Sequence, residues 1–162
     1  MDLQTISVVI AAVSIVIATS YNALTLRNNN RTRQAQLYVQ IFDKLRTEEF
    51  IGTWIEVMYH QDFKDFEEWM NKYGPIKNPG TATKLFSVGI LYQTIGMLAR
   101  EKLIDPSLVF QENPWVALET WEKIESVVKG FREISDPNFW DSFEFVANQI
   151  KKHREQKVTV NK

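Results

Sequence analysis

Cysteine is absent from all 162 residues of this chain. Its absence excludes disulfide bonds, thiolate catalysis and every zinc or iron–sulfur site that cysteine would ligate. Histidine is almost as scarce, with only His60 and His153. His60 follows Glu56 by four residues, so the two share a helical face and could be two metal ligands. A di-metal site in a helical bundle needs two Glu-x-x-His motifs and two further carboxylates, and this sequence lacks that set. We therefore predict no metal site and no cofactor.

The sequence also lacks the motifs of the common enzyme classes. The glycines of the GPIKNPG run, residues 74–80, are not followed by the Lys-Ser/Thr of a phosphate-binding loop, and neither G-x-S-x-G nor HExxH occurs. Glu119, Glu122 and Glu125 recur every three residues, which drifts around a helix, and Lys123 lies among them, so they indicate a salt-bridged surface. We predict that the protein is not an enzyme. An enzyme of unrecognised class is kept as a third hypothesis, after the two function classes described at the end of this subsection.

Charge is missing altogether from the run Leu3 to Leu26, which has 24 residues. A helix of that length spans about 36 Å, against roughly 30 Å of bilayer hydrocarbon. Asp2 precedes the run, and Arg27, Arg31 and Arg33 follow it. Two alternatives to a membrane span are a cleaved signal peptide and a buried helix of a soluble protein. A signal peptide would carry its positive charge before the apolar run and not after it. By the positive-inside rule we predict a single-pass protein of the cell membrane, with its N-terminus outside and its C-terminus cytoplasmic.

Beyond this run, acidic and basic residues are unevenly distributed along the chain. Residues 34–150 hold 18 acidic and 11 basic side chains, whereas the segments on either side are basic. An acidic body argues against a nucleic-acid partner, because such a surface needs clustered lysine and arginine. Basic ends are typical of segments near anionic headgroups, which makes the membrane the first predicted partner.

Small side chains line one stripe of the predicted span. Ser7, Ala11, Ser14 and Ala18 recur at i, i+4, i+7 and i+11. Small residues let membrane helices approach closely, and serine can hydrogen-bond across such a seam. We predict that the stripe is the seam of a homo-oligomer. Two alternatives stay open, a narrow pore lined by Ser7 and Ser14, and an isolated anchor in which the stripe is only composition.

Helical periodicity continues through the rest of the chain, and no alternating strand pattern occurs. We predict helices that open at Thr47, at Asp62, at Asp105-Pro106, at Asn113-Pro114 and after Asp136-Pro137. The fold class is all-α, with one N-terminal transmembrane helix followed by a compact cytoplasmic helical bundle. The predicted domains are an anchor and basic linker at 1–33, a helical soluble domain at 34–157 and a disordered tail at 158–162. Asn28 to Asn30 fit either a break or a polar turn of a continuing helix.

The segment from Thr83 to Leu103 is apolar on nearly all sides. Such a helix belongs in the centre of a bundle, and Gly89 and Gly96, seven residues apart, would allow close packing on one face. A second membrane span is the competing interpretation. Lys84 and Arg100 leave only 15 uncharged residues between them, which is too few to cross the hydrocarbon comfortably.

The chain has five tryptophans, and four of them fall on predicted apolar helix faces. Trp115 differs because it stands beside Pro114 at a helix start. With Arg100 and Lys102 it is the candidate wall of a cleft. We therefore predict a protein partner or a small ligand on the cytoplasmic domain, with this cleft as the candidate site.

Four stretches of sequence carry a resemblance to a known family. They are LTLRNNNRTRQAQL, EEFIGTWIEVM, VGILYQTIGMLAREKLIDPSLV and ETWEKIESVVKGFR, which follow the apolar span in that order. The chain resembles an uncharacterised prokaryotic family of single-span membrane proteins with a cytoplasmic helical domain, a domain of unknown function. The resemblance implies the architecture and no catalytic residues.

These observations favour one function class over another. The first hypothesis is a membrane-anchored, non-enzymatic helical interaction module that self-associates through its span. The alternative is an oligomeric membrane effector or channel that is gated by ligand binding to the cytoplasmic domain.

Overall fold

The computed structural model describes residues 2–105 and 114–160, and within them the fold is entirely helical, with no strand. The elements are α1 (Leu3–Leu45), α2 (Glu48–Ile55), a π-helical turn (Glu56–His60), α3 (Phe66–Lys72), α4 (Pro79–Arg100), α5 (Pro114–Ile134) and α6 (Asp141–Val160). The chain divides into two compact units, residues 1–39 and 40–162. The short helix predicted with Leu108, Val109 and Phe110, and the cap predicted at Asn113, lie outside the described residues.

Helix α1 runs without interruption from Leu3 to Leu45. The polar stretch Asn28 to Asn30 is therefore a turn of a continuing helix and not a break. In the part of the chain that the structure describes, α1 is the one helix long and apolar enough to cross a membrane, by length and composition. The predicted boundary between residues 33 and 34 falls inside this helix. At the other end of the chain, α6 continues to Val160, through the first residues of the predicted tail.

The starts of α2 and α3 are set by side-chain caps. The Thr47 hydroxyl accepts a hydrogen bond from the Phe50 amide at 3.1 Å, which confirms the predicted start of α2. The predicted start of α3 at Asp62 is wrong. Asp65 caps α3 by accepting from the Glu68 amide at 2.9 Å, and Asp62 instead donates its own amide to the Tyr73 hydroxyl at 3.2 Å.

Helix α4 begins earlier and ends earlier than predicted. The side chain of Asn78 accepts from the Thr81 amide at 3.3 Å, and Pro79 occupies the first helical turn, where its missing amide is harmless. The loop predicted at 74–80 is therefore shortened by its last two residues. The helix ends at Arg100 because Lys102 adopts a left-handed conformation with φ 56°.

One face of α4 is exposed, so the prediction of a helix surrounded on all sides is wrong. Leu85, Val88 and Ile95 are buried, whereas Ile90 is 56% and Met97 is 54% exposed. Apolar composition all round does not decide burial here, because the number of neighbouring helices limits how much of α4 is covered. The structure describes contacts of α4 mainly with α6, and also with α2 and the π-helical turn.

The close approach of α4 and α6 confirms the predicted role of two glycines. A Cβ at Gly96 would lie 2.0 Å from the carbonyl oxygen of Ser142, and one at Gly89 would lie 2.0 Å from Cη2 of Trp140. Trp140 itself has φ 51°, a left-handed conformation that is costly for a bulky residue. The predicted start of α6 directly after Pro137 is wrong. Because Trp140 redirects the chain, α6 begins at Asp141.

Aromatic rings fill much of the core of the second unit. Three of the four tryptophans predicted as core residues, Trp69, Trp121 and Trp140, are at most 6% exposed. Trp54 is half-buried and donates from Nε1 to the Thr120 hydroxyl at 2.8 Å. The ring of Phe86 contacts Trp140 at a centroid distance of 5.8 Å, which joins α4 to the segment before α6.

Candidate functional site

The predicted span presents apolar side chains on every side of α1. The side chains of Val13, Ile15 and Val16 are each more than half exposed. The serines are exposed as well, but they are already partly satisfied within the helix. Ser7 donates to the Leu3 carbonyl at 3.0 Å and Ser14 donates to the Ile10 carbonyl at 2.8 Å.

These internal hydrogen bonds change what the predicted seam can do. The hydroxyl protons of Ser7 and Ser14 are engaged one turn back in α1, and only the oxygen lone pairs remain for another group. Contact along the stripe Ser7, Ala11, Ser14 and Ala18 would therefore depend on close packing of small side chains more than on cross-helix hydrogen bonds. The seam stays a prediction.

The basic segment after the apolar run has no acidic residue near it in sequence. Arg27, Arg31 and Arg33 are exposed on α1, and no carboxylate side chain occurs between Asp2 and Asp43. Their positive charge is therefore not balanced by any local carboxylate. Such a segment favours the side of a membrane with anionic headgroups.

Arg100, at the end of α4, is a highly connected polar group of the second unit. Its Nη1 donates to Asp141 Oδ2 at 2.5 Å and to the Ser142 hydroxyl at 3.2 Å. Its Nη2 donates to the Asp141 carbonyl oxygen, and the guanidinium lies 5.2 Å from the ring centre of Phe145. The hydrogen bond from Arg100 holds the pKa of Asp141 below its ordinary value. Arg100 thus ties α4 to the first turns of α6.

Gln93 caps the same end of α6 from outside the helix. Its Oε1 accepts from the amides of Ser142 and Phe143 at 3.0 and 2.9 Å, and its Nε2 donates to Asp141 Oδ1 at 3.3 Å. The first turn of a helix would otherwise attract anions. Here the donors are satisfied by the chain itself, so this helix start is a structural joint between α4 and α6 and not a ligand site.

The predicted cleft of Arg100, Lys102 and Trp115 is only partly described by these contacts. Arg100 contacts α6, Lys102 forms the left-handed end of α4, and the side chain of Trp115 is 44% exposed at the start of α5. Nothing in these positions tests the cleft, which stays a prediction. Sequence reasoning found Arg100 but missed Gln93 and Asp141. The sequence did offer a signal for Asp141, because the first turn of a helix is a favourable position for a carboxylate and this one could have been proposed as the partner of Arg100.

A family model described as a domain of unknown function (DUF4760) matches residues 3–150, which reach from the first turn of α1 into α6. The chain belongs to this family. The match confirms the predicted resemblance to an uncharacterised family, and its description names no activity. No curated protein and no solved structure matches the chain.

Within this DUF4760 chain, the described residues contain no group of three or more histidine or carboxylate side chains that could hold a metal ion. Glu56, considered above with His60, instead pairs with Lys84 of α4 at 3.4 Å. The buried polar group Gln61 accepts from Trp69 Nε1 at 3.2 Å and donates to the Thr81 carbonyl at 3.2 Å. These contacts join elements of the fold, which is the ordinary role of satisfied buried polar groups.

A last feature of this chain is an exposed apolar face on α2 and the π-helical turn. Ile51, Ile55 and Tyr59 recur every four residues and are 44%, 40% and 70% exposed. Gly52 lies on the same face, and a Cβ built there would have no neighbour within 4 Å. We call these four residues the α2 face.

Proposed function

We propose that this chain is a single-span membrane protein whose helical domain is a cytoplasmic, non-enzymatic interaction module, and that copies associate through the span. The observation that carries the proposal is the uncharged run of α1 from Leu3 to Leu26, whose large apolar side chains are exposed where the structure describes them, followed at once by three arginines. A surface of that size is costly in water and favourable in hydrocarbon.

The helical state of the segment supports insertion for a second reason. Hydrocarbon offers no hydrogen-bond partner, so only a segment that satisfies its own backbone is stable there. Helix α1 does so through its backbone hydrogen bonds, and four of its hydroxyls, those of Ser7, Ser14, Thr19 and Thr25, also donate within the helix. Thr19 donates to the Ile15 carbonyl at 2.7 Å and Thr25 donates to the Tyr21 carbonyl at 2.9 Å.

The proposed orientation follows from the arginines, since basic segments stay on the cytoplasmic side. The test is a pair of C-terminal fusions in a bacterial host, one to a phosphatase active only outside the cytoplasm and one to a fluorescent protein active only inside. We expect fluorescence without phosphatase activity. Phosphatase activity would overturn the orientation, and recovery of the full chain in the soluble fraction would overturn the membrane assignment itself.

Self-association through the span is testable with matched substitutions. The double variant Ala11→Leu, Ser14→Leu places two large side chains on the small-residue stripe and should weaken the oligomer in a bilayer. The control Ala12→Leu, Ser20→Leu makes the same two changes on the opposite face of α1 and should leave it intact. Energy transfer between labelled copies at several lipid dilutions gives the measurement. Equal responses of the two variants would show that the small residues of the stripe do not form a specific contact between copies.

The polar contacts of the second unit support a module without chemistry of its own. The ion pairs Arg100–Asp141 and Arg132–Glu144, at 2.5 and 2.7 Å, both join helices. Their contacts hold the fold together. Residues 34–150 carry an excess of acidic side chains, which suits a partner with a basic surface. Loss of partner binding at raised salt, with the fold intact by circular dichroism, is the expected behaviour.

A second candidate is an oligomeric effector or channel, which the stripe of hydroxyl oxygens favours. Ser7 and Ser14 lie seven residues apart, and their lone pairs remain open after the internal hydrogen bonds. Ion flux through vesicles that contain the purified chain would distinguish this candidate from a plain module. Flux that disappears in Ser14→Ala, which removes only the hydroxyl, would support the channel, and absence of flux in the wild type would remove it.

A further inference from the structure

Apart from Gly80 in the first turn of α4, which also has nothing within 4 Å of its Cβ position, the glycines inside the helices of the second unit follow a rule with one exception. A Cβ at Gly89, Gly96 or Gly130 would come within 2.0 to 2.1 Å of an atom packed against it. Each of these glycines is explained by a close approach. Gly52 also lies inside a helix, α2, yet nothing lies within 4 Å of the position of its Cβ. Because glycine weakens a helix interior, its presence there is unexplained by the fold alone.

The surroundings of Gly52 indicate what kind of surface it belongs to. Ile51 and Ile55 flank it, and Tyr59 extends the same face by one more turn. The Tyr59 ring is held edge-on to Trp54 at a centroid distance of 5.9 Å, and Trp54 is fixed in turn by its hydrogen bond to Thr120. The α2 face is thus an apolar surface on a well-anchored helix, with a depression at Gly52.

We propose that the α2 face is a contact between two copies of this chain, in which two α2 helices cross in antiparallel order and Ile55 of each fits over Gly52 of the other. A two-fold contact needs a surface that is complementary to itself. The α2 face meets that need because its projection, Ile55, and its depression, Gly52, lie three residues apart on one side of the helix.

The charges at the two ends of the α2 face agree with an antiparallel arrangement. Glu48 and Glu49 begin α2, and Tyr59 and His60 end the π-helical turn. An antiparallel crossing brings the carboxylates of one copy toward the phenol and the imidazole of the other. A parallel crossing would instead bring carboxylates together, which is unfavourable.

The size of the α2 face favours a second copy over a freely diffusing partner. A stable complex buries about 800 Å² on each partner, and a face of four residues is smaller than that. A weak contact becomes effective when both halves are already held together at high effective concentration. Copies held by the proposed span association meet this condition, so the inference rests on the proposed function.

The absence of cysteine makes the contact directly testable by crosslinking in the full chain. Ile55→Cys introduces one thiol near the proposed two-fold axis, and Ile90→Cys introduces one on α4 at a position that is more exposed, 56% against 40%. Ser14→Cys reports independently on the span. With the protein in phosphatidylcholine vesicles, we expect oxidation to give several-fold more covalent dimer for Ile55→Cys than for Ile90→Cys.

A second substitution checks that the crosslink depends on Gly52. Adding Gly52→Gln to Ile55→Cys fills the depression with a helix-forming side chain, so it should abolish the crosslink without lowering the melting temperature. Equal yields for Ile55→Cys and Ile90→Cys, or a crosslink unaffected by Gly52→Gln, would overturn the inference. If Ser14→Cys crosslinks and Ile55→Cys does not, the inference fails while the span association stands. If neither crosslinks, both fail.

Discussion

Gly89 and Gly52 stand in helices of the same unit but should respond oppositely to the same substitution. In Gly89→Ala the new methyl group would lie 2.0 Å from Cη2 of Trp140 and 2.3 Å from its Cζ2 and Cζ3 atoms. Those separations are far below van der Waals contact, so α4, the ring or both must move. In Gly52→Ala the methyl group meets nothing within 4 Å.

The cost at Gly89 depends on how easily the indole of Trp140 can yield. The ring is stacked on Phe139 at a centroid distance of 4.6 Å and lies edge-on to Phe86 at 5.8 Å, and its backbone is already in a left-handed conformation. Overpacking of this kind costs about 1–3 kcal/mol, and more where the surroundings are rigid. Alanine returns about 1 kcal/mol through its helix propensity. Because these contacts hold the ring in place, we expect the upper end of that range and therefore a net loss of about 2 kcal/mol.

At Gly52 only the propensity term remains, so alanine should stabilise the protein by up to about 1 kcal/mol. Urea unfolding of the full chain in mild detergent, followed by tryptophan fluorescence, measures both variants against the wild type. A third variant, Gly89→Ala with Trp140→Leu, should lose less stability than the two single changes together, because the smaller side chain removes the clash. Similar effects of Gly89→Ala and Gly52→Ala would refute the packing argument.

Three further predictions concern the joint between α4 and α6 and the faces of α4. The hydrogen bond and ion pair with Arg100 lower the pKa of Asp141 from its ordinary 3.8. The ion pair therefore stabilises the fold fully above pH 3.8, and this stabilisation is lost as the pH falls through the lower pKa of the folded state. Asp141→Asn should accordingly make the free energy of unfolding, measured with urea, less dependent on pH in the acid range. Gln93→Ala leaves two amides at the start of α6 without their acceptor, so it should cost about 1–3 kcal/mol and speed hydrogen exchange there, whereas unchanged exchange would contradict the cap. Ile95→Asp, on the buried face of α4, should abolish the cooperative thermal transition, whereas Ile90→Asp on the exposed face should keep it.

The close packing of α4 and α6 shows how far the sequence predicts the fold. The seven-residue spacing of Gly89 and Gly96 was enough to predict a close approach on one face of α4. It could not say that the opposing groups are the ring of Trp140 and the backbone of Ser142, because those lie more than 40 residues away along the chain. Only the tertiary structure brings them together.

The helix starts show the same division on a smaller scale. Thr47 was identified from its position before two glutamates, since a cap depends only on the next three residues. Asp62 and Asp65 offer the same local signal, and the choice between them depends on Tyr73, whose hydroxyl accepts the Asp62 amide. A local pattern cannot decide between two equivalent caps when a distant side chain binds one of them.

The amino-acid sequence is enough to establish the helical class, the uncharged run from Leu3 to Leu26, the arginines behind it and the absence of familiar catalytic motifs. These are properties of composition and of spacing within a few residues. Only the three-dimensional structure shows that α4 leaves Ile90 exposed and that Gly52 faces open space. Each of these depends on which surfaces other elements cover, and coverage is set by packing among distant segments, which short-range periodicity does not encode.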